Sequence, residues 1–247
     1  MTTKLLNIIK NKQIINRQQK IFNIQKNLVV GYESLNRGPK DSIYSNPLLL
    51  INDAKANGLL WEFEKVGRYK TFKNISHIKR GQKIFINVEP DLVKADDFST
   101  GYTMDLIKKA GFKPKDVVFE ITERAAISNF DKFNKIINHY RKQNYLIAVD
   151  DVGTGYSGMS KIIRLEPDII KLDIELIKNI HKNKYKKAIV KGFKTISDEL
   201  DIMIIAEGIE KKEELETLKS IGIKHGQGYY LHRPQRFNDL ISLSNCL

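Results

Sequence analysis

Short apolar runs rich in β-branched residues recur along this chain, separated by longer stretches with helical periodicity, and almost every run ends in a polar residue. The runs that read as strands are Leu28–Tyr32, Ile84–Val88, Val117–Ile121, Tyr145–Asp150, Ile169–Leu172, Ile202–Ala206 and Gly228–Leu231. Helical patterns fall between them at Pro47–Lys70, Asp91–Ala110, Asn129–Gln143, Glu175–Glu199 and Lys211–Ile221. Strand–helix alternation specifies a parallel sheet covered by helices. With about eight such units in one chain, an α/β barrel is favoured over an open sheet. Pro114 and Pro167 precede strands, and Gly58, Gly111 and Gly222 follow helical patterns where a left-handed cap fits.

The polar strand ends carry the chemistry. Glu33 follows Leu-Val-Val-Gly-Tyr, and Asn87 lies in Ile-Phe-Ile-Asn-Val. Glu120 closes Val-Val-Phe-Glu, and Asp150-Asp151 closes Leu-Ile-Ala-Val-Asp-Asp. Lys171 lies in Ile-Ile-Lys-Leu-Asp, Glu207 in Ile-Ile-Ala-Glu-Gly, and Gln227 just before Tyr-Tyr-Leu. A lone acid at a strand end is commonly a helix cap or a surface charge. Seven placements in the same structural position are not explained that way. Parallel barrel strands bring these ends to one mouth, where catalytic groups gather. The carboxylates of Glu33, Glu120, Asp150, Asp151 and Glu207 would repel one another there unless cations lay between them. Oxygen donors without His or Cys clusters favour Mg²⁺ or Mn²⁺ over zinc. The Asp150-Asp151 pair then runs into Val-Gly-Thr-Gly-Tyr-Ser, whose Gly153 and Gly155 allow a tight turn near a ligand.

Composition sets the outer bounds. The 247 residues suffice for one sizeable core, and no linker marks a boundary, so residues 1–247 are expected to form a single domain. The one cysteine, Cys246, can form no internal disulfide, in keeping with a reducing compartment. No apolar run reaches the roughly 20 residues that span a bilayer, and residues 1–20 are too polar for a signal peptide. A cytoplasmic location is the expectation. The net charge of +13, from 42 basic and 29 acidic side chains, suits an anionic partner. The densest basic cluster, His181–Lys187, reads as a solvated helix face.

From about Gln18 to Pro234 the chain resembles the EAL-domain family of c-di-GMP phosphodiesterases, with the motifs in family order. Gly31-Tyr32-Glu33-Ser34-Leu35-Asn36-Arg37 is similar to the signature that names the family, with Ser34 in place of alanine. Phe85-Ile86-Asn87-Val88 and Glu120-Ile121-Thr122-Glu123 match two more motifs. Asp150–Ser157 matches a third, with Val152 where phenylalanine is usual. Lys171-Leu172-Asp173, Ala206–Glu210 and Gln227-Gly228-Tyr229 complete the series.

The resemblance implies a modified TIM barrel, (β/α)8, whose first strand runs antiparallel to the rest. It implies hydrolysis of c-di-GMP to linear pGpG with two divalent cations, Mg²⁺ or Mn²⁺. Glu33, Asn87, Glu120 and Asp150 would hold one ion, and Asp150 would bridge to a second at Asp151. Lys171 would lie beside the attacking water, with Glu207 as general base or water-positioning carboxylate. Gln227 and Gln19 would contact substrate, and Arg37 a phosphate. Glu123 would steady the Asp150–Ser157 loop, and Glu210 would support the site. A homodimer and a role in second-messenger signalling also follow from the resemblance; the family's frequent companion cyclase and sensor domains are expected to be absent, because the barrel uses the chain fully. On the first strand, Gln19 is followed by Lys20 where the family commonly has proline. Two other classes stay open: a catalytically silent c-di-GMP-binding module, and a basic nucleic-acid-binding protein. For the second, the sequence has no helix-turn-helix, zinc-finger or RNA-recognition signature, and no stable nucleic-acid partner is expected.

Overall fold

The computed structural model describes residues 2–89, 92, 101–122, 130–153 and 165–237. Nine strands form one sheet: β1 Ile15–Asn23, β2 Leu28–Arg37, β3 Lys83–Asn87, β4 Val117–Thr122, β5 Leu146–Val152, β6 Ile169–Leu172, β7 Met203–Ala206, β8 His225–Gly226 and β9 Gln235–Arg236. The helices are α1 Thr2–Lys10, α2 Pro47–Ala56, α3 Leu60–Lys73, α4 Tyr102–Lys109, α5 Phe130–Lys142, α6 Ile174–Ile177, α7 Lys184–Leu200 and α8 Lys212–Ile221.

Strands β2 to β8 run parallel in chain order. The barrel is closed by β1, which pairs antiparallel with β2 along one edge and with β8 and β9 along the other. This is the modified barrel with a reversed first strand.

The lumen is filled by one apolar layer: Ile21, Phe85, Val118, Ala148, Ile169 and Ile205, all buried. Side chains alternate along a strand, so the residue two positions on faces the same lumen. Those next residues are Asn87, Glu120, Asp150, Lys171 and Glu207, and on reversed β1 the equivalent is Gln19. The site is therefore the second floor of the barrel, directly above its hydrophobic plug. A much larger apolar cluster fills the space between the outer face of the sheet and the helices.

Several expected elements shift. Gly228–Leu231 is turn, and the closing strand is the shorter His225–Gly226. Strand β1 was not legible as an apolar run because its outer face is built from amides. Asn16 and Gln18 are buried in a polar network with Ser34, Asn36, Thr71 and the Asn74 carbonyl. Pattern Pro47–Lys70 divides into α2 and α3 at Gly58, whose φ is 66°. Glu175–Glu199 divides into α6 and α7 around Asn179, at φ 57°. Of Asp91–Ala110, the described helix is Tyr102–Lys109. Glu123, Gly155 and Cys246 lie outside the described residues.

Candidate active site at the barrel mouth

Lys171 is fully buried, and its Nζ is surrounded by carboxylates from four strand ends. Glu120 lies at 2.6 Å, Glu207 at 2.7 Å, Asp150 at 3.3 Å and Glu33 at 3.6 Å. The short contacts to Glu120 and Glu207 hold Nζ between the two carboxylates. Burial by itself would push the ammonium down, but Asp150, Glu120, Glu207 and Glu33 outweigh it and hold it well above the usual lysine range. The site therefore keeps one permanent cation.

That cation is not enough. Burial, with Glu33 and Asp150 nearby, holds the Glu120 carboxyl well above its usual range despite Lys171. Glu207 is displaced in the same direction, first by burial and then by Asp150. Asp151 is pushed up to about 6 by burial, then by Asp150 and Asp173. Each displacement reflects burial first and the neighbouring carboxylates second. Five carboxylates share one buried ammonium, with the Arg37 guanidinium acting on Glu33 from the cleft wall.

The donor set fits divalent cations. Oxygens of Asp150, Asp151 and Glu207 all lie within 4.8 Å of one another. Neither oxygen of fully buried Glu120 has an aligned hydrogen-bond partner among the described residues. Unpaired buried carboxylate oxygens are costly in an apolar setting, and hard cations accept such ligands.

Other expected residues frame this cluster. Gln227 Nε2 donates to Glu33 Oε2 at 2.7 Å and to Glu207 Oε1 at 2.6 Å, tying β2 to β7 across the mouth. A cleft of ≈ 390 Å³ opens above, lined by Gln19, Arg37, Glu210 and Gln227 together with Asp150 and Glu207. Arg37 is half-buried on β2, and Gln19 lies opposite Glu33 in the β1–β2 register. Asn87 stands beside Glu120 in the β3–β4 register, yet its side chain is exposed rather than buried with the cluster.

Two glycines permit the geometry. Gly153 has φ 116°, and a Cβ there would meet Leu176 Cδ1 at 2.5 Å. A Cβ on Gly228 would lie 2.2 Å from the Ile209 backbone N and O, a contact no side chain can relieve. Gly228 therefore lets the segment after Gln227 press against the residues that follow Glu207.

The residue reading missed some of the lining. Asp173 lines the cleft, caps α6 by accepting from Glu175 N at 2.7 Å, and interacts with Asp151. Its signal was present in Lys-Leu-Asp, but the capping role masks it. Leu35, Tyr229 and Pro234 also line the cleft. Ser34 points the other way: its hydroxyl lies 2.6 Å from Thr71 Oγ1 and 2.7 Å from Asn16 Nδ2, beneath α3. The Ser34 departure therefore belongs to the wall and not to the mouth.

The EAL domain family matches residues 3–234. Cyclic di-GMP phosphodiesterase PdeA of Borreliella burgdorferi is 30% identical over 240 residues, covering 94% of this chain and 35% of its own. Blue light- and temperature-regulated antirepressor BluF of Escherichia coli is 27% identical over 201 residues, covering 81% of this chain and 49% of its own. Among solved structures, the calcium/c-di-GMP complex of Klebsiella pneumoniae BlrP1 is 32% identical with a TM-score of 0.81, covering 91% of this chain and 56% of that one. A standalone EAL protein from Vibrio cholerae O395, bound to c-di-GMP, is 27% identical with a TM-score of 0.80, covering 91% and 93%. The chain thus spans half or less of the length of these curated relatives.

Proposed function

Since the chain belongs to the EAL domain family, we propose that its barrel mouth hydrolyses c-di-GMP to linear pGpG with two divalent cations, Mg²⁺ or Mn²⁺. The observation that carries this reading is the convergence of Glu33, Glu120, Asp150 and Glu207 on buried Lys171, with Asp151 beside them. Relatives named as cyclic di-GMP phosphodiesterases and solved relatives holding c-di-GMP with manganese or calcium support it.

In this reading Glu33, Asn87, Glu120, Asp150 and Asp151 would hold the ions. When bound, such a pair supplies hydroxide near neutral pH and neutralises charge on the attacking and leaving oxygens. The chain's own groups do the rest. Lys171 Nζ presents a fixed positive charge to the attacking oxygen, and burial makes that charge count for more than it would in water. Gln227 holds Glu207 Oε1, which leaves Oε2 to take the proton from water. Arg37, which lines the cleft, would hold a phosphate through its planar fork of donors. Gln19 and Gln227 contact the dinucleotide, and Glu210 supports the rim. By the family resemblance, Glu123 would steady the Asp150–Ser157 segment, which carries Gly153 and Gly155. Water adds across one of the two phosphodiester bonds, so the ring opens once.

The test is direct. Purified protein incubated with c-di-GMP and Mg²⁺ or Mn²⁺ is expected to release pGpG, and Glu33→Ala to release none. Folded wild-type protein that gives no product with either metal would overturn the reading. Exposed Asn87 is the observation that favours binding without cleavage, since one proposed ligand is exposed while Glu33, Glu120 and Asp150 are buried. Tight c-di-GMP binding without pGpG at saturating metal would support that second reading.

The single closed sheet supports treating residues 1–247 as one EAL-type domain. A homodimer is part of the proposal, and the exposed Tyr185 and Ile189 on α7 offer apolar surface for association. Light scattering showing only monomer at assay concentration would contradict it. A cytoplasmic location belongs to the same proposal, to be checked by cell fractionation. Among the described residues no helix is long and apolar enough to cross a membrane.

A further inference from the structure

The wall of the cleft formed by residues 227–234 is tied back to β1 through one histidine. The backbone N–H of Lys20 donates to His232 Nδ1 at 3.4 Å, and Gln19 Nε2 donates to the His232 carbonyl at 3.0 Å. His232 Nε2 lies 3.2 Å from Gln235 Oε1. Just beyond, Gln235 and Arg236 pair with Gln18 and Arg17.

These contacts settle the ring's state. An Nδ1 that accepts from a backbone N–H places the single proton on Nε2, which then donates to Gln235. Burial and the Lys20 charge keep the ring neutral, with its pKa lowered to about 4. The Lys20 N–H points away from β2 and spends itself on His232, so the latch requires a residue with a backbone donor at position 20.

We infer that His232 is a positioning residue for the dinucleotide: its ring and carbonyl clamp the cleft wall onto β1 and fix the amide of Gln19. With Nε2 committed to the His232 carbonyl, Gln19 Oε1 is the atom left to accept from a ligand donor such as a guanine N–H. Gln19 lines the cleft opposite Glu33, so loosening residues 229–234 from β1 changes ligand contacts at Gln19 while Gln227 stays anchored to Glu33 and Glu207. The inference rests on c-di-GMP being the ligand.

The test compares five full-length proteins: wild type, Lys20→Ala, Lys20→Pro, His232→Ala and His232→Asn. Binding of c-di-GMP is measured by calorimetry in Ca²⁺, turnover in Mg²⁺ or Mn²⁺, and folding by thermal melting. Lys20→Ala keeps the N–H and should bind as wild type. Lys20→Pro and His232→Ala should raise both Kd and KM about 2- to 12-fold, the size of one hydrogen bond, with kcat within about twofold and melting lowered by no more than a few degrees. His232→Asn, whose side-chain oxygen can replace Nδ1 as acceptor, should recover most of the loss. Wild-type affinity in Lys20→Pro and His232→Ala overturns the latch alone. So does an equal loss in Lys20→Ala, which would trace the effect to the ammonium, or a fall in kcat at constant KM. A wild-type chain that melts cooperatively yet binds no c-di-GMP overturns the parent reading, and this inference with it.

Discussion

Lys171 Nζ lies 2.6 Å from Glu120 Oε1 at the centre of the barrel mouth, a contact between two fully buried residues. Removing one member of a buried ion pair strands the other, at a cost of about 3–5 kcal/mol. Lys171→Met is therefore expected to lower the melting temperature of metal-free protein by several degrees and to abolish turnover. Added Mn²⁺ should restore more stability to the variant than it adds to wild type, because the carboxylates then gain the cation they lost. Melting curves with and without metal check this, and equal metal effects in both proteins would sink it.

Gln227 spans the mouth, donating to Glu33 and Glu207 at once. Residues that orient metal ligands are typically worth about 10–100-fold in affinity or activity. Gln227→Leu should lower kcat/KM for c-di-GMP by that order while leaving the fold intact. Steady-state kinetics with circular dichroism on the same samples decides the matter.

Asp151 gives a pH prediction with a definite sign. Its folded pKa, about 6, is raised above the ordinary value of 3.8. For a carboxyl displaced upwards, the stabilising contribution is present below the unfolded pKa and is lost as pH rises through the folded one. Metal-free protein should thus lose stability between about pH 4 and pH 6, and Asp151→Asn should flatten part of that slope. Divalent metal favours the ionised form, so its affinity should fall as pH drops below 6, with a proton released on binding. Calorimetry in buffers of different ionisation enthalpy measures that proton directly.

Ser34 bears on stability rather than chemistry. Its hydroxyl serves both Asn16 and Thr71 in a buried network. Ser34→Ala should cost about 1–2 kcal/mol, lowering the melting temperature by several degrees, with kcat and KM unchanged. A rate change without a stability change would contradict its placement in the wall.

Much of the site could be read from the chain because period two is a local rule. Phe85 and Asn87, Val118 and Glu120, Ala148 and Asp150, Ile169 and Lys171, and Ile205 and Glu207 each carry an apolar residue and then a polar one on the same face of a strand. That spacing is enough to anticipate a polar floor above a hydrophobic plug. Strand β1, placed at Gln19 by the family resemblance, has no apolar period of its own, because its outer amides are satisfied by Ser34, Thr71 and Asn74, partners far along the chain that local periodicity cannot reveal.

The amino-acid order alone determined the alternation of strand and helix, the placement of acids at strand ends, and so the character of the mouth. Tertiary structure decided which groups meet. It set Lys171 among four carboxylates, left Asn87 exposed at the rim, turned Ser34 into the wall and hooked His232 onto Lys20. The physical reason is that period and propensity act over a few residues, whereas charge balance and buried hydrogen bonds are settled between elements that only closure of the barrel brings together.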